Sequence, residues 1–195
     1  MHKIHHTEAF ILGSRHKGED SKMLALYTRE LGLVHAHAQG VRKLSSKLRF
    51  VLQDFSRVNI DLVRGKEIWR VTTAVPVHAD SFSYRSVHAE KIIARVSALL
   101  MRLVAGEDPN EEVFRAFMRI HEFLDMDVKS NLDDYRAIEL LSVSRILIAL
   151  GYLSRDSHGF EESNEGIILP KEFSDISYQH RLIRDINQAL AASQL

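Results

Sequence analysis

Four basic side chains follow one another closely in the stretch GVRKLSSKLRFVLQDFS, residues 40–56, before any acidic residue occurs. They are Arg42, Lys43, Lys47 and Arg49, and the first acidic residue is Asp54. Cations at this density can neutralise the phosphates of a polyanion, which is the main source of nucleic-acid affinity. The same charges could form the solvated side of an amphipathic segment, because apolar residues lie between them. The stretch alone leaves both interpretations open.

Two further basic groups lie near expected turns, and two aromatic residues accompany them. Proteins that bind single strands combine cations along the backbone with rings that stack on bases. The sequence therefore predicts a nucleic-acid surface, with two rings that could stack on bases or belong to the core. The predicted cations are Arg15, Lys17, Lys22, Arg42, Lys43, Lys47, Arg49, Lys66 and Arg70, with Arg64 beside the last two, and the rings are Tyr27 and Trp69.

Histidine and carboxylate residues are frequent but form no recognisable catalytic pattern. His35 and His37, two of eleven histidines, would share one face of a strand, yet two ligands without a third make a weak metal site. Acid pairs such as Asp133 and Asp134 stand where first turns of helices are expected, and there they offset the helix dipole. We predict no enzyme, no cofactor and no metal. A histidine-dependent metal hydrolase is the enzyme alternative.

The absence of cysteine narrows the chemistry further. A chain without cysteine has no disulfide, thiol nucleophile or thiolate zinc site, and it fits a cytosolic protein. Its apolar runs fall short of the roughly 20 residues that span a bilayer, and its start has no apolar signal core. We therefore expect a cytoplasmic protein.

The first 76 residues predict five short strands from period-two alternation and β-branched runs. The strands are expected near residues 4–13, 23–29, 34–38, 57–62 and 68–75. The clearest alternation sets Val58, Ile60 and Leu62 against polar neighbours, and Pro76 ends the last strand because proline cannot extend a central ladder. Five strands with one insertion between the third and fourth predict a small Greek-key barrel, the OB-fold.

The insertion is the stretch 40–56. Five of its apolar residues share one side at helical spacing, and Ser45 or Ser46 could cap the start of a helix. We predict that this helix closes the bottom of the barrel. The five apolar residues are Leu44, Leu48, Val51, Leu52 and Phe55.

After Pro76 the apolar period becomes helical and predicts four helices. Residues 154–170 are expected to form a loop or small hairpin. The predicted fold class is α+β multi-domain: an OB-fold barrel over residues 1–78, then an all-α domain over residues 79–195 without a zinc module. The stripes are Ile92, Val96, Leu99 and Leu103; Val113, Phe117, Ile120 and Leu124; Tyr135, Ile138, Leu141, Ile146 and Leu150; Gln179, Ile183, Ile186 and Leu190.

The charge of the chain is divided unevenly between these two parts. The net charge is zero, but residues 1–80 hold 13 Lys and Arg against 8 Asp and Glu, and the remainder holds 13 against 18. An asymmetry of this kind hints at a part that faces a nucleic acid, although differences of this size also arise by chance.

Taken together, these residues resemble the RecO family, bacterial recombination mediators that anneal DNA. The stretch TEAFILGSRHKGEDSKMLALYTRELG is similar to the family's strand, charged loop and second strand ending in a Thr-x-x-x-Gly turn. AQGVRKLSSKLRFVLQDFS is similar to its Gly-x-Arg-basic stretch, which precedes Ser and Leu-Gln-x-Phe. Beyond residue 75 the resemblance rests on helical character and on LGYL at residues 150–153.

The resemblance implies a DNA-binding OB-fold and a helical C-terminal domain, in a cytoplasmic, nucleoid-associated bacterial protein. It implies binding of single- and double-stranded DNA, strand annealing, and action with RecR and the single-strand DNA-binding protein to load the recombinase, without small-molecule substrate or membrane. Many relatives carry a four-cysteine zinc module after the Leu-Gly-Tyr helix end. Here that region has His158 as its only histidine, so no zinc module is expected. The alternative function is an OB-fold adaptor that binds RNA or an acidic protein tail.

Overall fold

The computed structural model describes residues 3–77, 86–125, 132–155 and 175–192. A closed five-stranded barrel is followed by helices, which confirms the predicted fold class. The elements are β1 (Ile4–Lys17), β2 (Ser21–Thr28), β3 (Gly32–Ala38), α1 (Leu48–Val51), β4 (Arg57–Arg64), β5 (Trp69–Pro76), α2 (Val87–Leu103), α3 (Glu111–Asp125), α4 (Leu132–Ala149) and α5 (Ile176–Ala192).

Closure of the barrel depends on β1, which pairs with two neighbours. The strand order is β1-β2-β3-β5-β4, with antiparallel neighbours except for a short parallel pairing of β3 with β5. Ala9 and Phe10 pair with both β2 and β4, and the register of β1 on β2 shifts between Ile11 and Gly13. A bulge of this kind bends a strand and increases its twist. The second half of β1 therefore continues beyond β4 and pairs with β2 alone.

The barrel interior follows the predicted alternation. Val58, Ile60 and Leu62 on β4 are buried, whereas Asn59 is exposed. On β3, Ala36 faces the core between outward-facing histidines. The interior set is Ala9, Ile11, Leu24, Leu26, Val34, Ala36, Ala38, Val41, Leu52, Val58, Ile60, Leu62, Trp69 and Ala74.

The segment between β3 and β4 differs from the predicted helix. Hydrogen bonds from Lys43 N to Gly40 O, Ser46 N to Lys43 O and Arg49 N to Ser46 O form successive turns, and α1 has only four residues. Lys47, not a serine, occupies the N-cap position and makes no side-chain capping bond, so the predicted serine cap was wrong.

The apolar side of this segment is shorter than predicted. Leu48 and Val51 pack against the barrel core and Leu52 is fully buried, as expected for a plug. Leu44 is 87% exposed, so its place in the plug was wrong. The turns before α1 carry Leu44 away from the helical face that the spacing suggested.

The helical part largely follows the predicted stripes. Val113, Phe117, Ile120 and Leu124 of α3 are buried. In α5 the buried residues are Leu182, Ile186 and Ala189, so the predicted stripe was rotated, since it included Gln179 and Ile183. The predicted loop over residues 154–170 falls mostly, and its His158 wholly, outside the described residues.

By its close contacts the chain separates into two units. One comprises Met1–Tyr84 and Ser97–Glu111, and the other Arg85–Val96 and Glu112–Leu195. The first unit therefore includes the barrel, the end of α2 and the segment that follows. The predicted division at residue 78 stays a prediction, because residues 78–85 lie outside the described residues.

The segment that follows α2 packs closely against the barrel at Gly32. Gly32 has φ of +70°, and a Cβ built there would lie 2.5 Å from the backbone oxygen of Asp108. Nearby, Leu33 N donates to Gly106 O at 3.0 Å, and the Tyr27 hydroxyl donates to Asn110 O at 3.3 Å. Glycine is required here both by the left-handed backbone and by the close approach of another backbone.

We expect Gly32→Ala to lower the free energy of unfolding by about 2 to 4 kcal/mol, since it adds a backbone clash to left-handed strain. Gly18→Ala is the matched control, because Gly18 has φ of +68° and a Cβ at that position would meet nothing within 4 Å; it should cost only about 1 kcal/mol. Urea denaturation measures both values. Equal losses in the two variants would contradict the close contact with Asp108.

Candidate nucleic-acid interface

The hairpin between β1 and β2 presents the first group of predicted cations. Lys17 pairs with Ser21, and Arg15 pairs with Met23, so Arg15 and Lys17 lie on the same, outer side of β1. Both are exposed. Lys22 pairs with His16 and with Ala38 on β3, is half-buried, and faces the other side. The hairpin therefore directs two of its three predicted cations outward.

A row of paired residues connects this hairpin to β5. Met23 pairs with His37 on β3, and His37 pairs with Arg70 on β5. The pKa of His37 lies below its usual value because burial, and then the positive charges of Lys17 and Arg70, disfavour the imidazolium. Two cations from separate parts of the chain therefore both contribute to the lowered pKa of His37. Lys66 is exposed in the turn between β4 and β5.

The segment after β3 is held against the same hairpin. Gly40 N donates to Ser21 Oγ at 3.2 Å, and Arg42 N donates to Asp20 O at 2.9 Å. The Arg42 guanidinium donates to Glu19 O at 2.7 Å, and Lys43 Nζ lies 3.7 Å from an Asp20 carboxylate oxygen. A guanidinium has five N–H donors, so this bond leaves Arg42 with capacity for another acceptor. The structure thus brings the second group of predicted cations next to the first.

Lys47 and Arg49 lie farther along the same segment. Both are exposed, Lys47 at the start of α1 and Arg49 within it. We call residues 40–53 the basic connector, because this range contains four basic residues and no acidic one.

The two predicted stacking rings are both buried, so base stacking on them was wrong. Tyr27 is 0% exposed, and burial, the largest cause, raises its pKa to about 12. Trp69 is 3% exposed in the barrel interior, and its Nε1 donates to a Glu107 oxygen at 3.0 Å. That bond, with help from Arg64, lowers the pKa of Glu107 although burial opposes the shift. Rings without an exposed face cannot stack on a base.

Burial also limits which part of the strand surface is open. Met23, Tyr27 and Leu33 on the outer side of β2 and β3 are buried, whereas His35 is exposed and His37 half-buried. OB-folds bind their ligands through the face of the second and third strands, and in this barrel that face is open only near the two histidines.

Sequence reasoning missed an exposed ring in the basic connector. Phe50 on α1 is 63% exposed, and the Arg49 guanidinium carbon lies 5.6 Å from its ring centroid. A signal was available in the sequence. Phe50 does not share the spacing of Leu48, Val51 and Leu52, and so it falls off the apolar side of the segment.

The described residues contain neither a metal-binding cluster nor a helix that could span a membrane. There, no three histidine, aspartate or glutamate side chains approach closely enough to hold an ion together. None of the helices described combines the length and apolar character needed to cross a membrane.

Comparison with known proteins identifies the barrel. The family model for the recombination protein O N terminal matches residues 1–79. The DNA repair protein RecO of Pelotomaculum thermopropionicum is 33% identical over 161 residues, which are 80% of this chain and 60% of that protein. RecO of Heliobacterium modesticaldum is 32% identical over 108 residues, covering 55% and 38%. RecO of Dehalococcoides mccartyi is 30% identical over 139 residues, covering 71% and 55%.

These alignments span between 38% and 60% of the length of the three relatives. They agree with the resemblance that the sequence motifs suggested, and the matched family model covers the whole barrel from β1 to β5. Residues 1–79 therefore match the N-terminal domain of the RecO family, and the chain is similar to RecO proteins over 161 residues.

Proposed function

We propose that this protein is a DNA-binding recombination mediator of the RecF-type repair pathway. It binds single- and double-stranded DNA, anneals complementary strands, and helps to load the recombinase on coated single strands, with RecR and the single-strand DNA-binding protein as partners. The task requires no covalent step: phosphate repulsion between two strands is neutralised by cations, and the strands then pair.

One observation carries the proposal: basic residues distant in sequence converge on one end of the barrel. Arg70 pairs with His37, and His37 lies in the same row of the sheet as Met23 and Arg15. Asp20 holds Arg42 and Lys43 against the hairpin that carries Lys17. A continuous cationic surface can follow a phosphate backbone, whereas scattered surface cations only aid solubility. The relatives bear the name DNA repair protein RecO, which supports DNA as the polyanion.

Annealing of complementary oligonucleotides at increasing salt tests the function as a whole. We expect the protein to accelerate annealing, and its affinity for a single strand to fall by about 0.7 log units per log unit of salt for each phosphate neutralised. RNA of the same sequence and poly-glutamate serve as competitors. Absence of DNA binding and annealing at low salt would overturn the proposal. Preferential binding of RNA or of poly-glutamate would favour the adaptor alternative.

We expect Arg42→Ala with Lys43→Ala to weaken DNA binding and to lower the salt slope for single strands by up to about 1.4, since two phosphate contacts are lost. Stability should change by less than about 1 kcal/mol, because both side chains are exposed and exposed ion pairs contribute little. Fluorescence anisotropy and urea denaturation measure the two effects.

The matched control is Arg181→Ala with Arg184→Ala, which removes two exposed cations from α5. It should leave the affinity near that of the unmodified protein. Asp20→Asn should act in the opposite direction and strengthen binding, since it removes the carboxylate beside Lys43. Equal losses in both double variants would show that net charge, and not this surface, governs binding.

We expect bound DNA to raise the pKa of His37. In the free protein burial, and then the charges of Lys17 and Arg70, disfavour its protonated form, and a phosphate beside them would favour it. Binding would then take up a proton, so affinity should increase as pH falls from 7.5 towards 6. NMR titration of the histidine Cε1–H signals, assigned with His37→Gln, measures the shift. An unchanged His37 titration at saturating DNA would contradict a phosphate near this residue.

A further inference from the structure

The basic connector exposes apolar surface among its cations. Phe50 is 63% exposed and Leu44 is 87% exposed. The same segment carries Arg42, Lys43 and Lys47, which are all exposed. An exposed ring beside cations is the combination with which single-strand-binding surfaces meet bases and phosphates.

The short helix α1 explains why the ring points outward. Leu48 and Val51 pack against the barrel core, and Leu52 is fully buried. On a helix, Phe50 lies about 100° from Val51 and about 200° from Leu48, so it cannot join the side that closes the barrel. The Phe50 ring is therefore exposed because Leu48 and Val51 hold the opposite side of α1 against the barrel core.

The chemistry around Phe50 selects the partner. A peptide without acidic residues would match the ring but not the adjacent cations, and a tail made of acidic residues alone would match the cations but not the ring. A single nucleic-acid strand matches both, because its phosphates meet Lys47 and Arg49 while an unpaired base offers a flat face. Arg49 lies 5.6 Å from the ring centroid, so cation and ring are already placed together.

We infer that Phe50 stacks on an unpaired base and gives the basic connector a preference for single strands over duplex DNA. The inference rests on the proposed function, since it names the part of the bound strand that this segment recognises. In a duplex each base is stacked on its neighbours and offers no free face. The cations of the basic connector would then contact both single strands and duplex DNA, whereas the Phe50 ring would contact only single strands.

The test compares Phe50→Ala with the unmodified protein on three ligands of equal phosphate count: a single strand, the same strand with abasic sites, and a duplex. We expect Phe50→Ala to weaken single-strand binding by at least about fivefold, as the loss of one stacked base predicts. Binding to the abasic strand and to the duplex should change by less than about twofold. Fluorescence anisotropy at fixed salt measures all three.

Two further variants sharpen the result. Phe50→Trp should restore the single-strand preference, and its indole fluorescence should be quenched by base-bearing but not by abasic strands. Ile176→Ala removes a side chain of similar exposure, 69%, from α5, and it should leave all three affinities unchanged. Both variants change exposed positions, so folding is preserved.

The outcomes separate the inference from the proposed function. Equal weakening on all three ligands, or no change on any of them, would overturn stacking by Phe50 while DNA binding stands. Absence of binding to every ligand by the unmodified protein would overturn the proposed function itself.

Discussion

The structure depends on the double pairing of β1. Ala9 and Phe10 pair with both β2 and β4. The bulge between Ile11 and Gly13 bends the strand away from β4, so that its second half pairs with β2. Without that bend the sheet would have two open edges and the interior would be exposed to water. The bend also carries the second half of β1 past β4, and this half ends in the hairpin with Arg15 and Lys17. The cationic hairpin is therefore a geometric consequence of barrel closure.

The same closure fixes the path of the basic connector. Just after the connector, Ile11 N donates to Ser56 O at 2.9 Å and Phe55 N donates to Ile11 O at 2.7 Å, which places the end of the connector near the bulge of β1. Phe55 adopts φ of 67° to do so, an uncommon and strained conformation for a residue with a side chain. The connector begins at the hairpin, where Arg42 N donates to Asp20 O. Its two ends are thus fixed by β1 and by the hairpin that β1 forms.

Sequence patterns predicted what depends on local alternation and missed what depends on register. The inward faces of β3 and β4 followed directly from period two. Trp69 could not be assigned in this way, because its place in the core comes from the parallel pairing with Ala36 across a chain separation of 33 residues. The prediction for Leu44 was wrong for a related reason. It relied on helical spacing, but the chain makes successive turns at this point. The cationic groups were identified by type and position, yet their convergence on His37 required the strand order.

Charge pairing explains how a chain of zero net charge can carry a basic surface. On β1 and β4, Glu8 forms ion pairs with Arg57 and Arg29, and the Arg57 side chain is only 10% exposed. The Arg29–Glu8 contact measures 3.3 Å. Pairs of this kind neutralise charge at short range, and screening in salt confines what remains to about 10 Å.

Near the hairpin between β1 and β2, the Asp20 carboxylate partly offsets the positive charge of Lys43. This ion pair is weak because both side chains are exposed. Most of the acidic residues lie beyond residue 80, and one of them, Glu107, contacts Trp69 and Arg64 of the barrel. If the protein anneals strands as proposed, it would hold two strands and then release the duplex, and tighter neutralisation of the phosphates would slow that release. In that reaction the Asp20–Lys43 pair would weaken the attraction of Lys43 for phosphate and so favour release.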